Sequence, residues 1–174
     1  MTVTAEDREL PAALTEAHAA PFRYREDGGV DFEPYDEFMT AAETGDWWRA
    51  WTGNPELDGA EFRCFGMDGT GGQAAFWLVR AGAPVERQPV VFLGSEGETG
   101  VVARDLDDYL WLLADGFGPY EAVAYPSRAA EPDERLTGIA SRYAPHARRS
   151  GHEVIAAARA EFPEFEQTIE GVCR

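Results

Sequence analysis

Four short apolar runs, Phe62–Phe65, Ala74–Arg80, Pro89–Leu93 and Val101–Ala103, follow one another in the middle of the chain. The links between them, "GMDGTGG", "AGAPVER" and "GSEGETG", are turn chemistry. A crossover between parallel strands takes a dozen residues or more, and none of these links is that long. The runs therefore predict an antiparallel meander, and everything else in the chain has to pack around it.

"GMDGTGGQ" also has the look of a phosphate loop, but its chemistry fails the test. A phosphate loop of the GxxxxGK[ST] kind needs Lys where Gln73 stands and a helix where "AAFWLV" reads as a strand. The spacing of Gly66, Gly69, Gly71 and Gly72 does not fit GxGxxG either. A hairpin loop fits, with Asp68-Gly69 and Gly71-Gly72 supplying positive-φ positions. Asp68 and Thr70 lack the further oxygens of a Ca²⁺ loop, and Glu96 and Glu98 read as a charged hairpin tip.

Helices flank the meander. "RDLDDYLWLLADGFG" is the clearest: Asp105 can cap it, Asp107 and Asp108 suit its positive end, and Gly116 can terminate it. Leu106, Tyr109, Leu110 and Leu113 fall at helical spacing and should face the sheet. Upstream, "ELPAALTEAHAA" reads as a short helix broken by Pro11, and "FRYREDGGVDFE" as a hairpin turning on Asp27-Gly28-Gly29. "PYDEFMTAAETG" reads as a helix starting at Pro34 and stopping at Gly45. After the linker "YPSRAAEPDE", helices are expected over about Arg135–Tyr143, Gly151–Glu161 and Glu164–Gly171. The fold class is α+β: a central antiparallel β-meander packed by helices, with a helical C-terminal tail. One domain over 1–174 is expected, its core about 22–125 and a helical extension about 131–174.

Charge limits the partners. The formal net charge is -17, and the chain has no Lys, so every one of its 15 basic residues is Arg. Such a surface disfavours nucleic acid and anionic membranes and speeds association with a basic protein, although solubility alone also accounts for acidic surface. No run reaches the ~20 apolar residues of a membrane span, and "MTVTAEDREL" lacks the pattern of a signal peptide. Cys64 and Cys173 form no metal or redox motif. A cytoplasmic protein with free thiols is expected.

Catalytic motifs are incomplete. "HEVIA" at His152-Glu153 lacks the second His of a zincin, and "GSEG" at Gly94–Gly97 is one residue short of a nucleophile elbow. We expect no catalytic residues, no metal and no cofactor. What remains is a binding surface. Trp47, Trp48 and Trp51 crowd one segment; core packing accounts for at least two of them, and an exposed one would anchor an interface. Glu26, Asp27, Asp31, Glu33, Asp36, Glu37, Glu43 and Asp46 follow one another with no basic residue between them.

From "FGMDGTGGQAAFWLV" through "QPVVFLGSEGETGVVARDLDDYLWLLADG", about Phe62–Gly116, the chain resembles the SUKH superfamily, which holds fungal cell-wall-assembly regulators and many bacterial immunity proteins. The shared order is an FGxDGxGG turn, a strand, a second strand running into "GSEGE", a short third strand and an acid-capped helix. "YDEFM" and "WWRAW" stand where that family has N-terminal helices, and the tail after about Glu131 exceeds its minimal core. The resemblance implies an α+β domain without enzymatic activity. It further implies an immunity protein that binds a cognate toxin, often a nuclease, in a toxin-immunity system. The alternative within the same fold is a regulatory or scaffold protein with no toxin; a small-molecule binder or enzyme would need a deep pocket. The candidate partner-binding residues are Trp48, Glu96, Glu98, Asp107 and Asp108.

Overall fold

The structure is a computed structural model that describes residues 7–174; the N-terminal stretch "MTVTAE" and any reading placed on it lie outside the described residues. Five strands form one antiparallel sheet in the order β3-β4-β5-β6-β7: β3 is Glu33–Pro34, β4 Phe62–Met67, β5 Gln73–Trp77, β6 Val90–Leu93 and β7 Thr99–Ala103. The expected meander is present, with one further edge strand. A separate hairpin, β1 (Tyr24–Arg25) and β2 (Gly28–Gly29), turns on Glu26-Asp27, one step earlier than the sequence suggested. Its glycines sit in the second strand, where Gly29 has φ +85 and a Cβ would lie 2.2 Å from the Arg23 carbonyl.

Both faces of the sheet are covered, which is why its strands read as nearly continuous apolar runs. Phe65, Phe76, Val90, Phe92 and Val102 point into the larger core. Cys64, Ala75, Val91, Leu93 and Val101 point the other way, into the smaller one. The larger core is closed by α1 (Ala12–Ala17), α3 (Leu106–Ala114) and α5 (Glu134–Tyr143), the smaller by α2 (Ala41–Thr52) and α7 (Phe165–Glu170). The remaining helices are α4 (Pro119–Ala124) and α6 (Gly151–Glu161). Val154 and Ile155 of α6 belong to one core and Ala158 to the other, so α6 runs along the β7 edge and joins them. No helix among the described residues is long and apolar enough to cross a membrane.

Helix α3 begins as its sequence dictates, with the Asp105 carboxylate accepting from the Asp108 backbone N–H at 2.9 Å. Leu106, Tyr109, Leu110 and Leu113 enter the core as expected. Trp111 and Leu112 are buried as well, because α5 and α6 pack on the far side.

One helix was misplaced. Pro34 lies in β3, paired with Gly66, and α2 starts at Ala41. Thr40 caps it in a reciprocal capping box with Glu43. Gly45 does not end this helix but lies within it, because a Cβ there would meet the Asp58 carbonyl at 2.8 Å. The stop is Gly53, at φ +66. In the β4–β5 turn only Gly71 uses a positive φ (+92). Gly72 is small for another reason: a Cβ would lie 2.8 Å from the Phe92 ring and 2.9 Å from the Gly94 Cα.

Candidate acidic binding cleft

The buried Asp68 side chain holds the β4–β5 turn together. Its Oδ1 accepts from the backbone N–H of Thr70 (3.1 Å) and Gly72 (2.8 Å) and from the Thr70 hydroxyl (2.9 Å). Asp31, just past the β1–β2 hairpin, accepts from Gly69 N–H at 2.9 Å and so ties that hairpin's exit to the turn. The backbone N–H of Asp31 in turn donates to Glu121 Oε1 at 2.8 Å, and Glu121 Oε2 accepts from Gly118 N–H at 3.1 Å. Three segments distant in sequence are thereby locked together.

Between them lies a cleft of about 400 Å³. Asp31, Asp68 and Glu121 line it, Glu26 and Asp27 stand on the hairpin side, and Tyr24, Tyr120 and Tyr125 supply aromatic walls. Two arginines also line it, and both are already committed. Arg25 pairs with Glu131 at 2.6 Å; Arg128 donates to the Gly116 carbonyl and lies 5.2 Å over the Phe117 ring. Burial pushes the Glu121 carboxyl up to about 7, against the pull of its backbone hydrogen bonds. Tyr120 is pushed up to about 12, first by its hydrogen bond with Tyr125, then by burial and by nearby charges including Glu98. Acceptors and π-faces converge here, a combination that recognises cations.

The candidate residues from the sequence fall into three places. Glu96 and Glu98 lie on the β6–β7 hairpin tip beside the cleft, where the Ser95 hydroxyl donates to Thr70 Oγ1 at 2.7 Å. Glu96 is exposed and Glu98 half-buried. Trp48 is in the smaller core, 1% exposed, stacked on both Trp47 and Trp51, which also touch each other, and edge-on to Phe62. It presents no ring to a partner; the acid-rich helix around it hid an ordinary aromatic core. Asp108 is equally buried, paired with Arg104 at 2.7 Å and Arg149 at 3.6 Å. Asp107 is half-buried, 3.4 Å from Arg87, and burial with the neighbouring Asp105 raises its pKa. Asp108 is a structural residue on the side of α3 facing Arg104 and Arg149. Asp108→Ala should lower stability by about 1–2 kcal/mol in urea unfolding, since its arginine partners keep part of their hydration. Equal stability of wild type and variant would remove that role.

The sequence reading does not single out Tyr24, Tyr120, Glu121 or Tyr125, and Asp31 enters it only within the acidic run from Glu26 to Asp46. "GPYE" at 118–121, Pro at the first helical position and Glu two residues later, could have revealed α4 and its Glu121 cap. Nothing local reveals that α4 faces the β4–β5 turn.

No protein-family model matches this chain, and neither a curated protein nor a solved structure matches it.

Proposed function

We propose that this protein is a non-enzymatic, cytoplasmic binding module that neutralises a basic protein toxin, with a nuclease as the leading class of target. The observation that carries the reading is where the arginines go. Arg8, Arg25, Arg49, Arg80, Arg87, Arg104, Arg142, Arg149 and Arg174 all sit in ion pairs within the chain. Arg135 caps the end of α1 through the carbonyls of Glu16 and Ala17. Ten of the 15 arginines are thus engaged within the chain, while Asp and Glu outnumber Arg by 32 to 15, so most of the surplus carboxylates behind the net charge of -17 lie on the surface. A nuclease grips phosphates with a basic cleft, and an acidic surface can occupy that cleft in the nucleic acid's place. The resemblance of Phe62–Gly116 to the SUKH superfamily supports the same reading.

The test is affinity capture from the cells of origin at low and high salt, followed by an activity assay on the purified captured protein. A basic protein is expected, inhibited at one-to-one stoichiometry, with an association rate at least tenfold faster at low salt. Capture of acidic partners whose association ignores salt would overturn the reading and favour a regulatory scaffold.

A further inference from the structure

The cleft differs from the rest of the acidic surface in its walls. Tyr24 and Tyr125 are 67% and 55% exposed, among the few large apolar side chains left open in the described residues, and both line this one hollow. Tyr120 meets Tyr125 edge-on, with ring centroids 5.9 Å apart. Open tyrosines beside buried, backbone-oriented carboxylates form a receptor for a cation that also has a flat face.

We propose that the cleft seats one arginine side chain of the partner, its guanidinium held between the carboxylates and the tyrosine rings. The assignment rests on the reading above that the partner is a basic protein. The lining selects arginine. Asp31, Asp68 and Glu121 line one volume of about 400 Å³, which suits an extended group, and among the described residues no group of three or more His, Cys, Asp or Glu side chains is placed to hold a metal ion. A guanidinium is planar, weakly hydrated and able to stack on aromatic faces while donating to carboxylates in its plane, whereas an ammonium is compact and strongly hydrated. The chain's own Arg25 and Arg128 do not fill the space, because Glu131 and the Gly116 carbonyl hold them in the wall. Asp31 is fixed by the Gly69 N–H donor and retains further acceptor capacity, so its side chain does not have to be reorganised to receive the ligand.

The experiment is an NMR titration of the full ¹⁵N-labelled chain with three capped tripeptides, acetyl-Gly-X-Gly-amide, where X is arginine, lysine or norleucine. The arginine peptide should give saturable shifts at Asp31, Gly69, Thr70, Tyr120 and Tyr125, with Kd on the order of 1–10 mM for a single side chain. Lysine should bind several-fold more weakly and norleucine should not saturate. Tyr125→Ala, at an exposed position that the fold tolerates, should weaken the arginine peptide about threefold or more while leaving the rest of the spectrum in place. Equal response to norleucine, lysine binding as tightly as arginine, unsaturable shifts spread over the acidic surface, or an unchanged Kd in Tyr125→Ala would each overturn the assignment. The captured partner separates the two proposals. A basic partner whose affinity is unmoved by the Tyr24→Ala, Tyr125→Ala double substitution leaves the toxin reading standing and removes the cleft from it. Specific arginine-peptide binding with no inhibited basic partner does the reverse.

Discussion

Replacing His18 by Phe should make the protein resist acid. His18 lies at the end of α1, ringed by Phe22, Phe32, Phe65 and Tyr109 at centroid distances of 5.3–6.0 Å, with Nε2 3.3 Å from the Tyr109 hydroxyl. A helix C-terminus favours a charged imidazole by only about 0.3–1 kcal/mol. Burial in an aromatic cage, with Arg135 nearby, overrides this and lowers the His18 pKa to about 3. Between pH 6.5 and about 3 the unfolded chain therefore holds a proton that the folded chain refuses, and stability falls as pH falls. The cost specific to His18 should reach about 2 kcal/mol by pH 5 and about 3 kcal/mol by pH 4.

Glu121 works in the opposite sense. Its carboxyl, raised to about 7, keeps a proton in the folded state between pH 7 and 4.5 that the unfolded state has released, so it adds stability as pH falls through that window. Between pH 4.5 and 6.5 the two slopes oppose each other in wild type. Removing His18 leaves the Glu121 slope exposed: the variant should gain on wild type steadily from pH 7.5 to pH 4 in urea unfolding, whatever the substitution costs at neutral pH. Parallel curves for the two proteins would show that His18 is not held neutral.

Gly116→Ala should be the most damaging of the glycine substitutions with a positive φ near the helices. Gly116 has φ +83, where an L-residue loses about 1–2 kcal/mol. An added Cβ would also lie 2.4 Å from the Glu131 carbonyl oxygen. That carbonyl cannot step aside freely, because Glu131 N–H donates to Asp115 O and Asp133 N–H to Ala114 O, both at 2.9 Å, and Asp133 caps α5. We expect a total near 3 kcal/mol, or a fall in Tm of roughly 6–12 °C. Gly71→Ala is the control: φ is +92 but no atom lies within 4 Å of the new Cβ, so only the conformational cost applies. If the two variants melt together, the close approach of the 131–133 strap to α3 is not restraining the fold.

The parts of this fold that are legible in the sequence are those determined locally. Short glycine-rich links leave the meander no crossover, and Asp105 with Gly116 brackets α3 by chemistry within a few residues of each end. Pro34 shows the limit. A φ near −65° suits both the first turn of a helix and an edge strand, and only Gly66 across the ladder decides between them. Glycine has the same ambiguity, since Gly45 and Gly72 are small to admit a neighbouring segment and not to turn the chain. The cleft was out of reach for the same reason: Tyr24, Asp31, Asp68 and Glu121 become neighbours only through hydrogen bonds between segments. Glu96 and Glu98 are legible as a charged hairpin tip, whereas Trp48 and Asp108 look the same in sequence whether they face solvent or core.

The two edges of the sheet limit how anything can dock. On one side the sheet ends in β3, two residues long and containing Pro34, which has no N–H to offer an incoming strand. On the other it ends in β7, flanked by α3, α4, α6 and α7. Among the described residues the β3 margin is two residues long and the β7 margin is flanked by helices, so neither is a long open strand for a partner or a second copy to extend. A partner would therefore be read by side chains, and specificity set in that way can change one substitution at a time without disturbing the ladder beneath.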